Sequence, residues 1–178
     1  PMATDTIRRL ATVLPRLTLF NAYGATETTS PAVLMPPGVA LERADCLGRP
    51  VACCDLLVMD DEGREVPPGE PGELWIAGPM VVPGYWNRPE ADAAAFAGGF
   101  WRSGDIGSID PEGYVRILDR RKDMINRGGF KIYPAEVENV LLGHPHVIEA
   151  AVVGRPCPVL SERVVAFLRL DKPVNAEE

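Results

Sequence analysis

The chain has 178 residues, of which 46% are hydrophobic and 24% are charged. This length and apolar content suffice for a folded core without disulfide or metal cross-links, and they exclude a disordered tail. Lys and Arg number 18 against 25 Asp and Glu, and the net charge of −7 disfavours general binding to nucleic acid. No run of about 18 apolar residues offers a membrane-spanning helix.

The cysteines and histidines are not spaced as zinc ligands, because no Cys-x-x-Cys pair occurs and the histidines are far from most cysteines in sequence. These residues are Cys46, Cys53, Cys54, Cys157, His144 and His146. We therefore expect reduced thiols in a cytoplasmic protein. Because the sequence opens on Pro1 and Met2 and soon enters a helical pattern, we interpret it as part of a longer protein.

Apolar residues at helical spacing predict a short helix over residues 6–14, with Asp5 or Thr6 capping its start and Pro15 ending it. Residues 17–20 are mostly apolar and predict a short strand. This strand leads into a hydroxyl-rich loop, Asn21 to Ser30. A loop that follows a strand is a common place for a ligand site.

Residues 47–118 alternate short apolar runs with turns rich in Asp, Gly and Pro, which predicts antiparallel β structure. The predicted strands are 55–59, 73–77, 106–109 and 114–118. A helix at about 89–97 interrupts them, and Gly98 and Gly99 end it. This pattern indicates a small β-barrel or sandwich with one inserted helix.

The polar run at residues 119–123 predicts a linker or hinge, and a smaller α+β pattern follows it. Residues 124–126 and 130–133 flank a possible hairpin turn. Pro134 is suited to the first position of a helix at 135–142. Residues 147–153 and 163–170 complete the pattern as strands.

Three segments carry candidate functional groups, and each also has a purely structural interpretation. The loop from Tyr23 to Ser30 offers an aromatic ring, the Glu27 carboxylate and four hydroxyls, which could contact a base, Mg²⁺ and phosphate. Its hydroxyls could equally bond to their own backbone. Asp105 could accept hydrogen bonds from two neighbouring ribose hydroxyls, or it could be an exposed turn residue. Residues 127–129 could be only a hairpin turn.

Taken together and in order, these segments resemble the adenylate-forming superfamily, which includes acyl-CoA synthetases, aryl-CoA ligases, luciferases and peptide-synthetase adenylation domains. The resemblance extends from Pro1 to about Leu170. The matching motifs are Tyr23-Gly24-Ala25-Thr26-Glu27, Gly72-Glu73-Leu74-Trp75-Ile76-Ala77-Gly78 with Gly84-Tyr85-Trp86, Trp101-Arg102-Ser103-Gly104-Asp105, Asp119-Arg120-Arg121-Lys122-Asp123, Gly128-Gly129-Phe130-Lys131-Ile132 and Pro134-Ala135-Glu136-Val137-Glu138. Departures are small: Ser103 stands where Thr is usual, and Trp101 where Tyr or Phe is common.

The resemblance implies a role for individual residues of the first motifs. Glu27 is implied as the Mg²⁺ ligand, Thr26 as a donor to phosphate, and Tyr23 as a wall beside adenine, with Gly24 in the same nucleotide-binding loop. Asp105 and Arg120 are implied to hold the ribose hydroxyls.

The resemblance also assigns the segments near the hinge. Lys122 occupies the position about which the C-terminal domain of this superfamily rotates between two half-reactions. Gly128 and Gly129 fall where the pantetheine arm of CoA passes close to the backbone.

The implied domain organisation follows the superfamily. Residues 1–119 form the C-terminal part of the large AMP-binding domain, with an α/β remnant at 1–40 and a β-barrel-like subdomain at 41–119. Residues 120–178 belong to the mobile C-terminal domain, here incomplete. The fold class is therefore α+β, with the end of an α/β subdomain, a small antiparallel β-barrel and a small C-terminal domain.

The implied activity is that of an AMP-forming acyl-CoA synthetase, which uses ATP, Mg²⁺ and CoA on a fatty or aromatic carboxylic acid. The run from Gly128 to Pro134 resembles CoA ligases more than peptide-synthetase domains. Two alternatives stay open: an adenylation domain that loads a carrier protein, and a noncatalytic nucleotide-binding or interaction module. Because the superfamily's phosphate-loop lysine and late catalytic lysine are not in this sequence, we predict that the 178-residue chain alone is inactive.

Overall fold

The computed structural model describes residues 4–172, and the chain divides into two units between Ile117 and Leu118. The division falls inside a β-strand, and the two units are described separately below. Among the helices of residues 4–172, none has the length and apolar character needed to cross a membrane.

The first unit begins with helix α1, Thr4–Val13, which buries Ile7. The predicted helix is confirmed, but it starts earlier, so that Asp5 and Thr6 lie inside it rather than at its cap. The strand predicted at residues 17–20 is wrong. Leu17 and Phe20 are about half exposed, at 50% and 53%, and the segment pairs with no strand described in residues 4–172.

Regular pairing starts two residues later, in a small antiparallel sheet. Its strands are β1 (Ala22–Tyr23), β2 (Val33–Leu34) and β3 (Arg49–Pro50), in the order β1-β2-β3. A 3₁₀ helix, Thr26–Thr28, lies in the loop between β1 and β2. The Ala32 amide donates to the Tyr23 carbonyl at 2.8 Å, so both ends of this loop are fixed by the sheet.

A second, larger antiparallel sheet provides most of the first unit. Its strands are β4 (Asp55–Met59), β5 (Gly72–Ala77), β6 (Phe96–Ala97), β7 (Phe100–Ile109) and β8 (Val115–Arg120). The order is β4-β5-β7-β6, and β8 also pairs with β7. The sheet curls into a half-barrel, which confirms the predicted α+β class and the antiparallel β subdomain.

The segment between β5 and β7 differs from its prediction in two ways. Helix α2, Pro89–Ala95, ends two residues early because Phe96 and Ala97 pair with Trp101 and Phe100 around a Gly98-Gly99 turn. Strand β7 is also longer than the predicted 106–109, since it already begins at Phe100.

Alternating apolar residues of these strands form the core of the first unit. One cluster joins β2, β4, β5 and β8 through buried side chains, and a neighbouring one packs Ile76 and Trp101 against Ala32. The first cluster consists of Val33, Leu47, Val58, Leu74 and Val115. The end of the loop between β1 and β2 is therefore anchored in the core, through Ala32 and Val33.

The second unit consists of a four-stranded antiparallel sheet and one helix. Its elements are β9 (Ile125–Arg127), β10 (Phe130–Ile132), helix α3 (Pro134–Leu142), β11 (Val147–Cys157) and β12 (Ser161–Leu170). The strand order is β10-β9-β12-β11. The predicted hairpin, helix and two strands are all confirmed.

Side-chain carboxylates hold helix α3 in the second unit. Pro134 is its first residue, as predicted, and the Asp119 carboxylate accepts the Ala135 amide at 2.9 Å and the Arg120 amide at 2.7 Å. From within the helix, Glu138 accepts the Val152 amide of β11 at 2.7 Å. The helix is thus tied both to the end of β8 and to its own sheet.

Candidate active site

Two predicted site residues that are 82 positions apart in sequence meet in the first unit. The Tyr23 hydroxyl donates to the Asp105 Oδ2 atom at 2.6 Å, a short distance typical of a hydrogen bond to a carboxylate. Asp105 is only 7% exposed. The interpretation of Asp105 as an exposed turn residue is therefore wrong, and its carboxylate has a defined orientation.

A β-bulge in β7 presents the Asp105 side chain. Glu73 of β5 pairs with Ile106 and Trp75 pairs with Arg102, so a step of two residues along β5 lies opposite a step of four residues along β7. The Gly104 backbone has φ of +70°, and the Asp105 amide donates to the Ser103 hydroxyl at 3.0 Å. Bulges often re-aim a side chain next to a functional site.

Glu27 lies on the 3₁₀ helix between β1 and β2, and its carboxylate is oriented from a distant segment. The Tyr85 hydroxyl donates to Glu27 Oε1 at 2.7 Å, and the Val82 amide donates to the Glu27 carbonyl at 2.8 Å. The hydrogen bond to Glu27 raises the pKa of Tyr85 above its ordinary value, because the phenol is the donor. Tyr85 is itself held, since its amide donates to Asp92 Oδ1 at 2.7 Å.

The hydroxyls of this loop divide into structural and exposed groups. Thr28 is fully buried, accepts the Ala25 amide at 2.9 Å and lies 2.9 Å from the Ser30 carbonyl. Thr29 has φ of +52° and donates to the Met80 carbonyl at 2.9 Å. The structural interpretation therefore holds for these two residues, whereas Thr26 is exposed at the start of the 3₁₀ helix.

The remaining predicted residues lie in the second unit. Arg120 and Lys122 are exposed in and just after the end of β8, and the Arg120 carbonyl accepts the Asp123 and Met124 amides in a turn. Gly128 and Gly129 form the β9–β10 turn with φ of +61° and +93°.

A cleft of about 510 Å³ lies within the second unit, beside the turn at residues 120–124. Its lining includes Lys122 together with the carboxylate residues Asp119, Asp123, Glu138 and Glu162. Three of these carboxylates accept backbone amides: Glu138 that of Val152 and Glu162 that of Asn126, each at 2.7 Å, and Asp119 that of Ala135 at 2.9 Å. The cleft therefore consists in part of groups that hold the fold.

Sequence reasoning gave no role to two residues that orient the predicted carboxylates. Tyr85 contacts Glu27, and Glu73 accepts the Gly104 amide at 3.1 Å beside Asp105. Both lie in motifs that carried the family resemblance. Their partners are 58 and 31 positions away, so no local pattern could pair them.

The Glu27 carboxylate is suited to hold Mg²⁺ beside bound phosphates. Mg²⁺ prefers oxygen ligands and commonly takes one or two protein carboxylates, with waters and substrate phosphates completing its shell. Tyr85 occupies Oε1 of Glu27 and thereby orients the second oxygen. Within residues 4–172, no three His, Cys, Asp or Glu side chains converge as a metal site.

Comparison with known families identifies the class of protein to which this fold and site belong. Residues 1–86 match the model of the AMP-binding enzyme family, and residues 136–178 match that of the AMP-binding enzyme C-terminal domain. The chain therefore belongs to the AMP-binding enzymes.

Individual relatives are acid–CoA ligases. Over 160 residues the chain is 42% identical to the 2-succinylbenzoate–CoA ligase of Bacillus velezensis and to a long-chain-fatty-acid–CoA ligase of Escherichia coli, covering 90% of this chain and 33% and 28% of the relatives. A solved o-succinylbenzoate CoA synthetase of Bacillus subtilis, holding its acyl-adenylate intermediate, superposes with a TM-score of 0.91 at 38% identity. That match covers 99% of this chain and 36% of the synthetase, and another structure of the enzyme contains ATP and a magnesium ion. The chain spans about a third of the length of the curated relatives that it matches.

Proposed function

We propose that this chain is part of an AMP-forming acid–CoA ligase. The observation that carries the proposal is the 2.6 Å hydrogen bond between Tyr23 and Asp105, which joins two motifs of the AMP-binding enzymes at one point. An oriented, nearly buried carboxylate beside an aromatic ring is suited to hold the sugar and base of a nucleotide.

The proposed reaction has two steps. A carboxylate oxygen of the acid attacks the α-phosphorus of ATP, the bond to the β-phosphate oxygen breaks, and pyrophosphate leaves. The sulfur of CoA then attacks the acyl carbon, the bond to AMP breaks, and the thiol gives up its proton. The first step brings two anions together, so donors and positive charge around the phosphates must offset their repulsion.

In this reaction Asp105 accepts the ribose hydroxyls and holds the nucleotide through both steps. Tyr23 stands beside adenine while its hydroxyl fixes Asp105, in line with their 2.6 Å contact. Gly24 belongs to the same loop. Arg120 is proposed as a further donor to the ribose, because its guanidinium can donate two hydrogen bonds side by side.

Glu27 and Thr26 act on the phosphates. Glu27, whose carboxylate is oriented by Tyr85, would hold Mg²⁺, and Thr26 would donate its exposed hydroxyl to a phosphate oxygen. When bound, the metal offsets negative charge on the phosphates.

The second unit is proposed to serve the thioester step. Lys122 is the hinge about which it rotates, and a charged residue suits this position because it stays solvated in both orientations. Gly128 and Gly129 provide a turn without Cβ atoms, along which the pantetheine arm of CoA can pass.

The four cysteines are free thiols, which supports a reducing, cytoplasmic location.

The test is to offer the full-length protein ATP, Mg²⁺, CoA and a mixed library of fatty and aromatic acids, and to detect acyl-AMP and acyl-CoA by mass spectrometry. We expect both products from one acid, which would also identify the substrate class. Acyl-AMP without acyl-CoA would transfer the acceptor role to a carrier protein. The absence of both products would reject the ligase and favour a noncatalytic module.

The 178-residue chain by itself serves as a matched negative control. We expect no ATP–pyrophosphate exchange from it with any acid in the library, because the sequence lacks the two lysines that the family resemblance implies. Robust acid-dependent exchange by this chain would contradict the assignment of essential charge to those lysines.

A further inference from the structure

Glu73 is a buried carboxylate to which the proposed reaction gives no task. It is 6% exposed, and its two oxygens have separate partners. Oε1 accepts the Gly104 amide at 3.1 Å, and Oε2 accepts the Trp75 indole N–H at 3.1 Å. Burying a carboxylate is costly unless donors surround it, and here each oxygen has one.

The Gly104 amide belongs to the bulge that presents Asp105. The pairs Glu73–Ile106 and Trp75–Arg102 bracket three residues of β7, which have no paired residue opposite them on β5. In a regular ladder these amides would bond to the neighbouring strand. The Glu73 side chain therefore takes the place of the missing strand partner for Gly104.

The conformation of Gly104 makes this hydrogen bond consequential. Its φ of +70° lies in the left-handed region, where glycine has freedom that other residues lack. A glycine without an external partner could leave this conformation at little cost, and the next residue in the chain is Asp105. The Glu73–Gly104 hydrogen bond thus fixes the direction in which the Asp105 carboxylate leaves the strand.

The second oxygen of Glu73 is held by groups on both strands. Besides the Trp75 indole, the Arg102 Nη2 atom lies 3.6 Å from Oε2, and the Arg102 guanidinium stacks over the Trp75 ring at 5.3 Å. These contacts anchor the carboxylate on the side away from Gly104. These contacts hold the Glu73 carboxylate in a defined orientation.

We infer that Glu73 is a positioning residue for recognition of the ATP ribose, acting through the Gly104 amide on Asp105. This inference rests on the proposed function, because it requires that Asp105 accept the ribose hydroxyls. It differs from a general structural role, since it predicts a change in ribose selectivity rather than only in stability.

The test compares ATP with 2′-deoxy-ATP and 3′-deoxy-ATP in the full-length protein, with KM measured for acyl-AMP formation. For the wild type we expect a KM for at least one deoxy analogue about tenfold or more above that for ATP, since Asp105 loses a partner. For Glu73→Leu we expect the KM for ATP to rise about tenfold and the ratio between analogue and ATP to fall to within about threefold of unity.

Two further variants keep the test independent of folding. Glu73→Gln retains an oxygen that can accept the Gly104 amide, so selectivity should stay within about threefold of the wild type. Glu73→Asp keeps the charge but withdraws it by one methylene, so selectivity should fall by at least about threefold even if Glu73→Leu does not fold. Glu70→Leu, at an exposed turn position, is the matched control and should leave selectivity unchanged.

The possible failures can be told apart. A wild type that does not use ATP rejects the proposed function, and a wild type that uses ATP and both analogues equally rejects the ribose role of Asp105. A wild type that discriminates, together with folded Glu73→Leu or Glu73→Asp variants that discriminate equally well, overturns the role of Glu73 alone.

Discussion

The two units differ in how they hold the residues assigned to the reaction. In the first unit, Asp105 and Glu27 each accept a tyrosine hydroxyl from a segment far away in sequence. In the second unit, Lys122 and Gly129 lie in exposed turns in which backbone amides are the hydrogen-bond donors. One site is fixed by side chains, whereas the other is set by chain conformation.

This difference corresponds to the two kinds of work in the proposed reaction. Gripping a nucleotide requires acceptors that are oriented before the ligand arrives, since orientation after binding would reduce affinity. Passing a flexible arm and rotating a domain require a backbone free of obstruction. Substitutions in the two regions should therefore fail in different half-reactions.

The largest expected effect comes from Asp105→Ala in the full-length protein. It removes the acceptor of the ribose hydroxyls and leaves the Tyr23 hydroxyl without that partner, so both half-reactions should slow by about 100-fold. Separate assays of acyl-AMP formation and of thioester formation from supplied acyl-AMP would measure this. Asp105→Asn, which keeps one acceptor oxygen, should lose less, and a loss confined to one step would contradict a grip maintained throughout.

Lys122→Pro should separate the two regions most clearly. Proline fixes φ and restricts the preceding residue, so rotation at this position is limited. Thioester formation should fall by about 30-fold or more while acyl-AMP formation stays within about threefold. Lys122→Ala keeps the backbone free and is the control, and equal losses in both steps for the proline variant would argue against the hinge.

Tyr85→Phe should affect only the phosphate side of the first unit. The ring keeps its edge contact with Phe96, whose centroid is 5.8 Å away, but Glu27 loses its donor. We expect the Mg²⁺ concentration for half-maximal acyl-AMP formation to rise about fivefold. Titration of Mg²⁺ binding in the presence of a nonhydrolysable ATP analogue would check this without turnover, and unchanged Mg²⁺ affinity would show that Tyr85 does not orient the ligand.

The smallest expected effects come from alanine substitutions at two glycines, one in each unit. Gly104 and Gly129 both have positive φ, and nothing lies within 4 Å of a Cβ added at either position. Alanine at each should therefore cost a similar amount of about 1 kcal/mol in unfolding free energy. Gly104→Ala should slow acyl-AMP formation and Gly129→Ala thioester formation, each by about threefold to fivefold; reversed or identical profiles would remove the distinction between the regions.

Local sequence signals predicted most of the second unit because its elements are set by neighbouring residues. Pro134 begins α3, Gly128 and Gly129 make the β9–β10 turn, and the paired strands are joined by a short connection. Each of these features depends on residues a few positions apart. The same kind of signal identified β4 and β5 in the first unit.

The secondary-structure predictions were wrong where strand pairing with other segments decides the structure rather than the local pattern. Residues 96 and 97 continue a helical pattern, yet they form β6 because Phe100 and Trp101 fold back onto them. Residues 17–20 have strand character but lack a pairing strand among the described residues. The motifs identified Asp105 and Glu27 as site residues. The roles of Tyr85 and Glu73 follow only from their contacts in the folded chain.

The Asp119 carboxylate restrains the segment around Lys122 through a hydrogen bond. It accepts the Ala135 amide at 2.9 Å, so the residues just before Lys122 are bound to the first turn of α3. A change in the torsion angles of Lys122 that moves Asp119 away from α3 must exchange this bond for water, at a net cost of about 1 kcal/mol. The rotation that we propose at Lys122 would therefore start from an orientation that a carboxylate three residues earlier stabilises.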